Sequence, residues 1–279
     1  LALMGEVAFG APATVPLANV YQQGVPLADY WVSAKLDGVR AYWDGERLWS
    51  RRGNPFQAPD WFVSDFPTQP LDGELWLGRG RFAQLSGIVR TVRPVDADWR
   101  SVRFMVFDVP IADQTFSQRL PRLRELVRQA GSPYLVLVKQ QRPGNHQQLM
   151  DHLDTVIAAG GEGLMLRRSA SFYKAGRSDD LLKVKRFDDA EAIVMGILPG
   201  KGKYQGMMGA LRVRLEGSRE FRIGSGFSDA ERADPPPLGS VITFKHSGYT
   251  ATGLPRFASF LRVRNDEPQA PAPAVPVAK

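Results

Sequence analysis

Residues 31–50 read WVSAKLDGVRAYWDGERLWS, and their punctuation decides the kind of fold the chain adopts. Apolar and polar side chains alternate on either side of Asp37-Gly38 and Asp44-Gly45. Both dipeptides are favoured in two-residue hairpins, so the stretch predicts short antiparallel strands joined by tight turns. Further out, 71–77 and 102–109 read as strands, the second as a nearly continuous apolar run. The period then changes. Leu120, Leu123, Leu126, Val127 and Ala130 mark one helical face, stopped by Gly131 and Pro133; Leu149, Met150, Leu153, Val156 and Ile157 mark another, stopped by Gly160-Gly161. Strands over 163–168 and 181–185 complete an α+β domain of antiparallel sheets and helices.

Beyond Ala190 the helical period disappears. Residues 193–198, 210–215, 220–223, 241–246 and 260–264 alternate or run apolar between Gly and Pro turns, which predicts a small C-terminal all-β barrel, the OB-fold. The expected division is 19–187 for the α+β domain and 188–267 for the barrel. The glycine-rich stretch 200–209 lacks the GxxxxGK[ST] spacing of a phosphate loop and reads as a mobile hairpin. The two ends stand apart from the folded part. Residues 1–18 read as an N-terminal extension or the remnant of a signal peptide: LALMGEVAFGAPA is apolar and small, and Ala11-Pro12-Ala13 fits the A-x-A cleavage rule. That predicts a periplasmic protein, with the cytoplasm as the alternative. The tail 268–279, PQAPAPAVPVAK, is a Pro/Ala segment expected to be disordered. No run of about 18 apolar residues exists, so no membrane span is expected.

Composition narrows the chemistry. The 279 residues contain no cysteine and three scattered histidines, which excludes thiol catalysis, iron–sulfur clusters and zinc ribbons. A formal charge of +7 favours a polyanionic partner. The excess lies in residues 1–187, and Arg79, Arg81, Arg90, Arg93, Arg100 and Arg103, opposed only by Asp96 and Asp98, form a candidate basic face.

Charged side chains stand at the margins of several apolar strands. Lys35 closes one strand, with Arg40 five positions on; Glu74 follows Asp72-Gly73; Glu162 precedes the run Gly163 to Leu166; Lys183 and Lys185 alternate onto one strand face. Together they suit one pocket with a lysine nucleophile, carboxylates for a divalent metal and cations for a phosphate. A free lysine has a pKa of about 10.4 and is a poor nucleophile at neutral pH, but neighbouring cations and desolvation favour its neutral form. Attack of Lys35 on an α-phosphate, beside Arg40, Lys183 and Lys185, gives a lysyl-nucleotide.

The order K-x-D-G-x-R (35–40), S-R-x-G (50–53), D-G-E (72–74), F-D (107–108), E-G-x-x-x-R (162–167) and L-L-K-x-K (181–185) resembles the covalent nucleotidyltransferases. With F-x-I-G-x-G-F (221–227) and P-R-F-x-x-F-x-x-x-R (255–264), the chain is most similar to the minimal bacterial ATP-dependent DNA ligases, the small type with a leader sequence. The resemblance implies an adenylation domain followed by an OB-fold, and a monomer acting on nicked double-stranded DNA in replication, repair or recombination. It implies ATP, with AMP as a covalent intermediate, and Mg²⁺. Lys35 is then the nucleophile, Arg40 and Glu74 hold the ribose and nearby phosphate or metal, Phe107 stacks on adenine, and Glu162 supports the metal. Lys183 and Lys185 take the AMP phosphate, Arg256 and Arg264 the β,γ-phosphates of ATP, and Arg51 and Arg177 the nick phosphate. Arg167 stands where many relatives have lysine and receives no role. RNA-capping guanylyltransferases and RNA ligases share the lysine chemistry, and a non-catalytic nucleic-acid-binding OB protein is the alternative of a different class.

Overall fold

The computed structural model describes residues 15–186, 188–215, 219–246, 248–250 and 252–264. The chain forms two compact units divided after Val184, three residues before the division expected from sequence. Of the extension or leader assigned to 1–18, residues 1–14 lie outside the described residues, as does the tail assigned to 268–279.

The first unit contains β1 (Pro16–Val20), β2 (Tyr30–Lys35), β3 (Val39–Trp43), β4 (Leu48–Ser50), β5 (Leu71–Trp76), β6 (Arg103–Asp108), β7 (Leu135–Leu137), β8 (Gly163–Arg168) and β9 (Gly176–Val184), with helices α1 (Asp60–Val63), α2 (Phe82–Arg90), α3 (Asp96–Trp99), α4 (Phe116–Ala130) and α5 (His146–Ala158). The strands form two sheets, ordered β1-β9-β8-β2 and β4-β3-β5-β6-β7. Pairing is antiparallel except for β1 with β9 and β6 with β7.

Two expectations are corrected here. The Asp44-Gly45 turn is a hairpin between β3 and β4, closed by Asp44 N–H to the Arg47 carbonyl at 3.1 Å, with Gly45 at φ 109°. Asp37-Gly38 is not a hairpin. β2 pairs with β8 while β3 pairs with β4 and β5, so the dipeptide carries the chain from one sheet to the other. Gly38 is needed because a Cβ there would strike the Leu75 carbonyl and the Glu74 side chain. Secondly, residues 16–18 are not part of an extension. They open β1, a parallel edge strand whose partner lies some 160 positions downstream, and Val15 just before it is buried.

Each sheet has its own core. Trp43, Phe62, Trp99 and Phe104 anchor one, with Leu123 and Leu126 of α4 packed on it; Tyr30, Val32, Leu164 and Leu166 anchor the other, covered by Leu149, Leu153 and Val156 of α5. Both helix stripes follow the 3.6-residue period. α4 starts at a Thr115–Gln118 capping box and ends at Gly131 with φ 60°.

Two connections tie the sheets together. The segment after β7 pairs first with one and then the other: Val138 N–H donates to the Val106 carbonyl at 2.9 Å, and Gln141 exchanges two backbone bonds with Val32 at 2.8 and 3.0 Å. Asp108 on β6 accepts two bonds from Arg119 of α4, at 2.7 and 2.9 Å, and one from Arg167 of β8 at 2.5 Å.

The second unit contains β10 (Asp188–Pro199), β11 (Met208–Arg214), β12 (Glu220–Ile223), α6 (Asp229–Ala233), β13 (Val241–His246) and β14 (Ser259–Val263), in sheet order β12-β11-β10-β13-β14. Phe260 N–H donates to the Ser225 carbonyl at 2.9 Å, joining β14 to the chain just past β12 and drawing the two edges together. The stretch 200–209 covers the β10–β11 connection and the first two residues of β11. Buried Arg232 holds it, stacking at 4.2 Å on the Tyr204 ring and donating to the carbonyls of Met208, Gly209 and Gly224.

Candidate active site

Strands of both sheets in the first unit line a cleft of about 210 Å³. β2 delivers Lys35 to it, β3 Arg40, β5 Asp72 and Glu74, β6 Phe107 and Asp108, and β8 Met165 and Arg167. Lys35 Nζ donates to Glu162 at 2.7 Å. Glu162 reaches it because the next residue, Gly163, opens β8 directly opposite Lys35 in the ladder.

Arg40 is held from behind. Its Nε and Nη2 donate to the two Asp72 oxygens at 2.7 and 2.6 Å, and the Tyr173 hydroxyl donates to the same carboxylate at 2.9 Å. Asp72 is fully buried, so these donors replace its lost water. Burial works against the Arg40 charge, but Asp72 more than compensates and raises its pKa above the usual arginine value. Burial, followed by Asp72, drives the Tyr173 phenol well above the ordinary tyrosine range, so it is a donor at any physiological pH. The Arg40 guanidinium lies 4.8 Å from the Phe107 ring centroid.

Glu74 accepts the Gly38 N–H at 2.6 Å. Burial pushes its carboxyl up to about 7, and Glu162 adds to this, while Lys35, the Gly38 N–H and Arg40 pull it down.

Lys183 alternates with the core residues Leu182 and Val184 and is in register with Met165, which lines the cleft as Leu181 does. It therefore lies on the cleft-side face of β9. Lys185 departs from the reading of two lysines on one strand face. β9 ends at Val184, and Lys185 pairs with Asp189 at 3.0 Å in the second unit. Arg51 is exposed in the turn after β4, and Arg177 is exposed on β9, donating to the Ala18 carbonyl. Arg256 and Arg264 belong to the second unit, the first exposed and the second 3.5 Å from Glu191. Within the basic face, Arg79 donates to the Ala159 carbonyl, and Arg100 and Arg103 lie over Trp61 and Tyr134.

Sequence reasoning gave no part to Asp72, Asp108, Arg167 or Tyr173. A carboxylate inside a buried strand must find cationic or donor partners, which is the signal Asp72 and Asp108 carried. Arg167 is the partner of Asp108, which explains why a cation persists there.

Residues 24–185 match the family model described as the ATP dependent DNA ligase domain, and 199–264 that of the DNA ligase OB-like domain. The chain belongs to the ATP-dependent DNA ligases. A DNA ligase of Haemophilus influenzae is 37% identical over 237 residues, which cover 85% of this ligase and 87% of that one. A solved Lig E DNA ligase, described as binding DNA with a minimal scaffold, is 46% identical with a TM-score of 0.62, covering 90% of this ligase and 98% of that chain. A mycobacterial DNA ligase D complexed with ATP and MES, 22% identical with a TM-score of 0.59, shares the fold over 93% of this ligase and 96% of that chain. The enzyme therefore seals nicks in duplex DNA at the expense of ATP, through a lysyl-AMP and an adenylated 5′-phosphate. Among the described residues no helix is long and apolar enough to cross a membrane.

Proposed function

We propose that Lys35 is the residue that carries AMP. The observation behind this reading is the Lys35–Glu162 pair, 2.7 Å apart at a cleft that also presents Arg40, Glu74 and Phe107. Nζ attacks the α-phosphorus of ATP, a P–N bond forms, pyrophosphate departs and Nζ gives up a proton. Arg40, braced by Asp72, and Glu74 hold the ribose side. Phe107 stacks on the base, Lys183 and Lys185 take the AMP phosphate, and Arg256 and Arg264 take the β,γ-phosphates.

Among the described residues no cluster of three or more His, Cys, Asp or Glu is placed to hold a metal. Glu74 and Glu162 nonetheless bracket Lys35 and influence each other's charge. Two carboxylates completed by substrate phosphates form the hard-oxygen donor set that Mg²⁺ prefers. Bound there, Mg²⁺ supplies screening of the phosphate oxyanions.

On the DNA side, Arg51 and Arg177 take the nick phosphate, and the 79–103 arginines hold the flanking duplex. The enzyme works as a monomer on nicked duplex DNA, in the periplasm or, as the alternative, in the cytoplasm. The test is incubation with labelled ATP or GTP, with and without Mg²⁺, followed by denaturing electrophoresis. A covalent label from ATP that is lost in Lys35→Ala supports the reading; label surviving that change, or arising from GTP alone, sinks it. Sedimentation and cell fractionation check the monomer and the compartment.

A further inference from the structure

The polar side chains around the cleft are mostly committed to one another. Asp72 is taken by Arg40 and Tyr173, and Asp108 by Arg119 and Arg167. Gln140 is the exception. It lines the cleft, and its Oε1 is buried with no hydrogen-bond partner among the described residues. A buried acceptor without a donor is a cost that native structures rarely carry without a use.

Its place in the fold suggests the use. Gln140 sits on the segment that crosses from the β6 edge to the β2 edge, one residue before the Gln141–Val32 backbone pair. This segment walls the cleft at the depth of Val32 and Ser33. Val32 lies three residues before Lys35, about 10 Å along the strand. Gln140 lines the same cleft as Lys35, Ser33, Phe107 and Met165, so a nucleotide joined at its α-phosphate to Lys35 and lying in that cleft would have its base within reach of this wall.

We infer that Gln140 reads the purine: its Oε1 accepts a hydrogen bond from the 6-amino group of adenine, making it a specificity-determining residue of the nucleotide site. The inference rests on the proposed lysyl-AMP site. Adenine offers a donor at position 6 for that acceptor. Purine riboside triphosphate offers nothing there. Because the hydrogen bond is made in both ground and transition states, its loss falls on KM rather than on the maximal rate of transfer.

The test measures covalent labelling of the full chain with ATP and with purine riboside triphosphate. For the unaltered protein the expected KM is about tenfold higher for the analogue, about 1.4 kcal/mol of binding. Gln140→Leu should raise the KM for ATP to that of the analogue, and Gln140→Glu, which keeps an acceptor, should restore the preference. Equal KM values for the two nucleotides on the unaltered protein, or an equal rise for both in Gln140→Leu, would overturn the inference and leave Lys35 as nucleophile untouched. No covalent label from any nucleotide would overturn the lysyl-AMP reading, and the inference with it.

Discussion

Replacing Glu74 with Gln should make the protein more stable at pH 8 and leave it nearly unchanged at pH 4. The carboxyl is displaced from 4.5 to about 7, chiefly by burial. Folding therefore binds a proton between those values, and the stability this group contributes is fully present below about 4.5 and lost as pH rises through about 7. A displacement of that size corresponds to about 3 kcal/mol of penalty for keeping the buried carboxylate ionised. Glutamine mimics the protonated form and can still accept the Gly38 N–H with its own Oε1. At pH 8 the variant should gain up to about 3 kcal/mol, a rise of about 6–10 °C in the melting temperature of the first unit. At pH 4, below the unfolded value, the two proteins should melt nearly together. Thermal unfolding followed by circular dichroism at both pH values decides it. A variant less stable than the parent at pH 8, or a difference that does not change with pH, would refute the reasoning. The expected gain is confined to stability: a group kept ionised against its surroundings is one retained for function, and adenylation of Lys35 should fall in the same variant.

Three further outcomes follow from the geometry. Asp108 is one negative charge between Arg119 and Arg167, so Asp108→Asn strands two buried cations and should cost about 3–5 kcal/mol, whereas Arg119→Met leaves Asp108 paired with Arg167 and should cost clearly less; urea unfolding that ranks them the other way contradicts the assignment. Gly73→Ala places a Cβ 2.7 Å from both the Met105 carbonyl and the Phe104 ring, which should cost about 1–3 kcal/mol and lower the melting temperature without altering the secondary structure seen by circular dichroism. Arg51→Ala and Arg177→Ala should each reduce the slope of log affinity for nicked DNA against log salt by about 0.9, and a slope identical to that of the parent removes that residue from the DNA surface.

How much of this was legible in the sequence depends on where each residue finds its partner. The faces of α4 and α5 were legible because period and caps are local, and so was the placing of Lys35 at a strand end; Glu74, expected to follow a turn at Asp72-Gly73, instead lies inside β5. Sheet membership was not. Asp37-Gly38 and Asp44-Gly45 carry the same signal, yet one closes a hairpin and the other crosses between sheets. Glycine reports that the backbone must come close to something, Leu75 in the first case and Thr68 in the second, and not what that something is. β1 escaped notice for a related reason: a parallel edge strand is specified by a partner in β9 far along the chain, and its small apolar residues look equally like a leader. The same limit applies to the cleft. Its residues were legible one strand at a time, because each interrupts an apolar run with a charge. The braces behind them, Tyr173 on Asp72 and Arg119 on Asp108, come from other elements and have no local pattern. Gln140 is the extreme case, since a lone amide in a connecting segment is unremarkable until the fold buries its oxygen without a donor. The residues expected to perform transfer were thus visible as chemistry, while those that hold them, and the one inferred to choose the nucleotide, became visible only when the two sheets were brought together.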